Sequence, residues 1–193
     1  MAVAVRHLTI SELEAGLDEI GRAPKDGGAV EMIVRRPQIG EREILQEGAL
    51  DLVDGLVGDS WKIRSSKRTT DGTPHPDMQL NLMNSRVVAL LAQDPGRWPL
   101  AGDQLYVDLD LSEGNLPVGT RLTIGSAVIE VTAEPHTGCA KFVERFGVDA
   151  TKFVNSRERK HLHLRGINAR VVRPGAVRVG DTVTKLRHPE PGR

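Results

Sequence analysis

The stretch "TRLTIGSAVIEVT", residues 120–132, limits the fold of this chain more than any other. It holds two β-rich runs joined by Gly125-Ser126, a composition suited to a two-residue hairpin turn. Just before it, "QLYVDLDL" sets Leu105, Val107, Leu109 and Leu111 on one strand face and Tyr106, Asp108 and Asp110 on the other. After it, "INARVVRPGAVRVGDTVTKL" repeats the device, with Pro174-Gly175 and Gly180-Asp181 as turns. Short strands at this spacing predict a closed or nearly closed antiparallel β-barrel, with small helices packed outside. The class is mainly β, a β-rich α+β chain.

The first half is read from local signals. Thr9-Ile10-Ser11-Glu12 has capping-box spacing. Leu13, Leu17 and Ile20 then share a helical face, and Gly21 is placed to end the helix in the left-handed region. "GGAVEMIVRRP" reads as a strand stopped by Pro37. "MQLNLMN" alternates apolar and polar, and Ser85 is placed to cap "RVVALLAQ". The tail "RHPEPGR", residues 187–193, is expected to be loose.

A chain of 193 residues fits one domain, expected here to span 1–193. Basic and acidic residues balance at 26 each, which argues against a general nucleic-acid binder. No apolar run approaches the ~20 residues of a membrane span, and the N-terminus lacks a secretory h-region, so a cytoplasmic protein is expected. Charge is nonetheless uneven. Arg157, Arg159, Lys160, Arg165, Arg170 and Arg173 crowd one stretch against the single acid Glu158. Asp103, Asp108, Asp110 and Glu113 occupy another without a base. Both segments read as solvated faces, or the first as a basic rim for a phosphorylated small molecule.

Cys139 is the only cysteine, set in "EPHTGCAKFVERFG". Pro135 ends a strand, Thr137 is placed to cap a helix starting near Cys139, and Phe142 and Phe146 would anchor that helix. A thiol in a first helical turn feels the positive end of the dipole, which favours the thiolate, the form that acts as nucleophile and metal ligand. The opposing reading is a small buried hydrophobe, as free cysteines often are. His161 and His163, two apart, would share a strand face and offer a metal pair, but two ligands make no site.

"LDLSEGNLPVGTRLTIGSAVIEVTAEPHTGCAKF", followed by "HLRGINARVVRPGAVRVGDTV", resembles the MOSC domain, the C-terminal domain type of molybdenum-cofactor sulfurases. The likeness runs from about Val107 to Leu186, and residues 1–100 look like the N-terminal part of small stand-alone members. The resemblance implies a MOSC-type antiparallel β-barrel with short peripheral helices. It implies that Cys139 carries a persulfide or ligates molybdenum in a pterin cofactor, and that relatives reduce N-hydroxylated bases. Large members add a pyridoxal-phosphate desulfurase, for which this chain has no room. Many members have Pro-Cys where this chain has Gly138-Cys139.

Two functions follow. In the first, a molybdenum-dependent oxidoreductase or sulfur-transfer component uses Cys139 as catalytic residue or metal ligand. Arg36, Lys141 and Arg165 then hold the anionic part of the molybdenum cofactor, and a sulfur-donor or electron-donor protein is the partner. In the second, the barrel is a non-catalytic binding module for a small anionic ligand or protein partner, and Cys139 is structural. An open basic pocket beside Cys139 favours the first, a sealed apolar site the second.

Overall fold

The computed structural model describes residues 6–186; the tail read above as loose lies outside them. In chain order the elements are α1 (Ile10–Ala15), α2 (Leu17–Gly21), β1 (Gly28–Arg35), β2 (Glu43–Leu45), β3 (Glu47–Asp51) and β4 (Gly55–Leu56). There follow β5 (Leu80–Asn84), α3 (Ser85–Ala92), β6 (Leu105–Asp108), β7 (Arg121–Ile124) and β8 (Ala127–Val131). The last are α4 (Ala140–Phe146), α5 (Val148–Val154), β9 (Ile167–Arg173), β10 (Gly175–Arg178) and β11 (Thr182–Lys185).

Around the ring, β11, β7, β8, β9, β5, β6 and β1 pair in turn, and β1 returns to β11, so the sheet closes. All pairs are antiparallel except β5 with β6. The antiparallel β-barrel expected from sequence is thus present, with one parallel seam whose reason is parity. Strand directions cannot alternate around an odd number of strands, so a closed ring of seven must contain a parallel pair. The crossover between β5 and β6 that this demands carries α3. A small sheet of β10, β3 and β4 sits beside the barrel.

Leu82, Leu105, Val107, Ile129, Ala169 and Val183 fill the interior. A second apolar layer lies outside the wall, where Met83 and Tyr106 meet Leu13, Val87, Phe142, Phe146 and Phe153 from the helices. Because helices cover this side, "LNLMN" is buried at every position rather than alternately. The Gly125-Ser126 hairpin forms as expected, with Ile124 opposite Ala127. The later turns do not make hairpins: β10 leaves the barrel to pair with β3, so Pro174 marks a corner between sheets.

At the N-terminus Thr9 and Glu12 form the reciprocal capping box. The helix breaks at Gly16, and Gly21 stays helical instead of turning left-handed. A β-carbon on Gly16 would lie 2.5 Å from Leu90 Cδ2, so close packing against α3 sets that position. Asn84, not Ser85, caps α3, accepting from Arg86 N at 2.8 Å.

Candidate functional site

A cavity of ≈ 580 Å³ opens where β8 runs out into residues 132–137 and β9 begins. Its volume is in the range of small-molecule sites, roughly 300–1,000 Å³. Arg157, Lys160 and Arg165 line it, together with His136, His161 and His163. The basic stretch read from sequence thus supplies the cations of the cavity wall. The carboxylates of Glu113 and Glu134 also reach it, the latter paired with Arg68 and 3.6 Å from His75 Nε2.

Arg165 is 6% exposed and precedes Gly166, which turns the chain into β9 at φ 107°. A β-carbon at 166 would stand 2.1 Å from Leu82 O, so glycine alone allows this approach. The Arg165 guanidinium donates from Nη1 to Asp103 Oδ2 at 2.7 Å and Oδ1 at 3.0 Å, and from Nη2 to Ala101 O at 2.9 Å. Its face lies over the Phe142 ring, 4.9 Å from the centroid. Its Nε is buried without a partner among the described residues.

Asp103 is fully buried and has a second partner, His136 Nε2, at 2.7 Å from Oδ1. Burial alone would raise its pKa, but Arg165 and then His136 outweigh burial and hold the carboxyl below its ordinary range. His136 moves down from 6.5 because burial and the Arg165 cation together outweigh the attraction of Asp103. At neutral pH the ring is uncharged and gives its one proton to Asp103 from Nε2.

Cys139 is solvent-exposed and is the N-cap residue of α4, its side chain making no cap bond. Thr137 does not cap the helix. Residues before the helix are held otherwise: Gly138 N donates to Asn155 Oδ1 at 2.9 Å, and Asn155 Nδ2 donates to Gly138 O at 3.1 Å. Asn155 and Thr137 line the cavity; Cys139, two residues after Thr137, is not among its lining residues. Phe142 and Phe146 anchor α4 as expected, buried with ring centroids 4.8 Å apart. Exposure of the thiol does not match the small buried hydrophobe.

The other residues expected at the site separate. Lys141 is exposed on α4 and is not part of the cavity lining. Arg36 is 5% exposed, with its guanidinium committed to Asp59 at 2.8 Å twice, to Asn81 Oδ1 at 3.1 Å and to Gly102 O at 2.7 Å. Four of its five N–H donors are thus engaged within the wall, and Arg36 is not among the residues lining the cavity. Only Arg165 of the three cations reaches the cavity. His161 and His163 lie in and after a single 3-10 turn, Lys160–Leu162, not on a strand. Among the described residues no cluster of three metal-ligating side chains occurs.

Asp103 and His136 were not read as partners from sequence. In the sequence Asp103 is one acid in a run, and His136 one residue of the stretch that holds Cys139. Their separation of 33 positions leaves no local signal of their contact.

A seven-stranded barrel with one parallel seam and a basic cavity beside a lone exposed thiol defines the class. The model of the MOSC domain matches residues 73–184, and the chain belongs to that family. Among solved structures it is similar to the YuaD protein from Bacillus subtilis, at 20% identity and TM-score 0.62, covering 84% of this chain and 97% of that one. It is also similar to YiiM from Escherichia coli, at 20% identity and TM-score 0.52, covering 83% and 71%. At such identity these likenesses concern the fold. No curated protein matches the chain by sequence. Among the described residues no helix is long and apolar enough to cross a membrane.

Proposed function

We propose that the cavity binds a small anionic organic molecule, in this family the molybdenum cofactor, with Cys139 presenting its thiol at the edge as metal ligand or sulfur carrier. The observation that carries this reading is an exposed thiol two residues after the lining residue Thr137 of a basic, cofactor-sized cavity, next to Gly138, which the lining residue Asn155 holds by two hydrogen bonds.

The residues fit such a group in charge, volume and ligand softness. Arg157, Lys160 and Arg165 neutralise an anionic tail. A thiolate is the soft ligand that molybdenum prefers, and Cys139 is the one residue able to supply it. A bound molybdenum cofactor would supply the redox chemistry that side chains lack. The chain's own contribution is to neutralise, orient and offer a proton acceptor. On this reading the protein is an oxidoreductase or sulfur-transfer component, served by a partner protein that delivers electrons or sulfur.

The test is elemental analysis of protein made in cells that synthesise the cofactor. Molybdenum is expected to copurify with the wild-type chain and to be absent from Cys139→Ser, whose melting temperature stays near wild type. Metal-free wild-type protein, or a serine variant that keeps its molybdenum, overturns the reading.

A further inference from the structure

The Asp103–His136 contact sets which atom of the histidine faces a ligand. Asp103 is ionised beside Arg165, so it can only accept, and His136 Nε2 must donate to it. A neutral imidazole has one proton, so Nδ1 carries a lone pair. That nitrogen has no partner among the described residues and is not among their buried unpaired atoms, so it is reached from the cavity that His136 lines. Beside the carboxylates of Glu113 and Glu134, the cavity therefore shows a fixed uncharged acceptor in company with the cations Arg157, Lys160 and Arg165.

The geometry points to a selectivity rule: the cavity takes anions that themselves carry an O–H or N–H, and His136 Nδ1 receives that hydrogen. The rule rests on the cavity being the ligand site proposed above and narrows the class of ligand. An anion with no hydrogen would set its own lone pairs against Nδ1, leaving a desolvated acceptor unpaired, whereas a hydrogen-bearing anion satisfies cations and acceptor together. Where the hydrogen is acidic, the same contact can transfer it. The X–H bond breaks, the proton goes to Nδ1, the imidazolium is balanced by Asp103, and the electron pair stays on the ligand beside Arg165.

Inorganic phosphate and sulfate are the probes, because both are tetrahedral anions of similar size but only phosphate keeps a proton at neutral pH. Side-chain nitrogen NMR of the full chain reads the histidine tautomer directly, and titration with each anion reads the selectivity. His136→Lys is the matched variant: its ammonium can still donate to Asp103, and it carries no acceptor to stand in for Nδ1. The expected results are a proton on Nε2 and none on Nδ1, phosphate bound about 10-fold more tightly than sulfate, and near-equal affinities for the two anions in His136→Lys. A proton on Nδ1, equal affinities in the wild type, no binding of either anion, or a preference that survives in His136→Lys each overturns the rule. Should His136→Lys fail to fold, the two wild-type measurements decide it. Molybdenum loading at Cys139 enters none of these measurements, so failure here is distinct from failure of the cofactor reading.

Discussion

A carboxylate closed between a guanidinium and an imidazole ties stability to pH. His136 titrates below 6.5 in the fold, so as pH falls through 6.5 the unfolded chain takes a proton that the folded chain refuses. That contribution is complete above pH 6.5 and is lost as pH falls from there toward the lower folded value. Asp103, also lowered, adds a second loss in the same direction below about its ordinary 3.8. Melting temperature is expected to drop on acidification from pH 6.5, and His136→Gln to flatten that first limb; thermal melts across pH compare them. Gly166→Ala is expected to cost upward of about 3 kcal/mol, since it adds a backbone collision to a positive φ, and urea titration measures it. Cys139 was legible as the residue to watch because it is single and sits before a helix. Its neighbour in chemistry was not. Arg165 and Asp103 stand 62 positions apart, and only the folded wall makes them a pair.

At the level of elements, α4 joins the thiol to the cavity. Its N-cap is Cys139, and its Phe142 lies against Arg165. Phe142→Ala is expected to destabilise by about 3–5 kcal/mol, by emptying the layer outside the barrel and uncovering the Arg165 face; denaturant melts measure the loss. Asn155→Ala removes the two bonds that hold Gly138, and faster amide hydrogen exchange at Gly138 is the expected sign, with the barrel strands unchanged. Unchanged protection at Gly138 would mean that the loop holds itself. The helix was readable from Phe142 and Phe146 at a spacing of four. Its cap was not, because the residue that fixes the approach is Asn155, the C-cap of α5, 17 positions on from Gly138. The strand "LNLMN" misleads for a related reason. Alternation signals one wet face, and α3 with its neighbours covers the face that would have been wet.

For the whole molecule, the closing contact is the one between β1 and β11, where Gly28 faces Val183 and Ala29 faces Thr182. The Gly125-Ser126 hairpin was legible because it is a local event, whereas the path of β10 was not, because its partner β3 lies far back in the chain. Closure was expected but its parity was not, since direction around a ring is a property of all seven strands together. The same seam governs how the protein comes into being on the ribosome. Synthesis runs from β1 toward β11, so residues 182–185 emerge after every other strand of the ring, and until then the nascent barrel has bare edges on β1 and β7. A polypeptide stalled at Asp181 is expected to be digested readily by protease and to engage chaperones, and one stalled well beyond Lys185 to resist. Translation must therefore run nearly to the end of the described chain before the protein can protect itself from its neighbours in a crowded polysome.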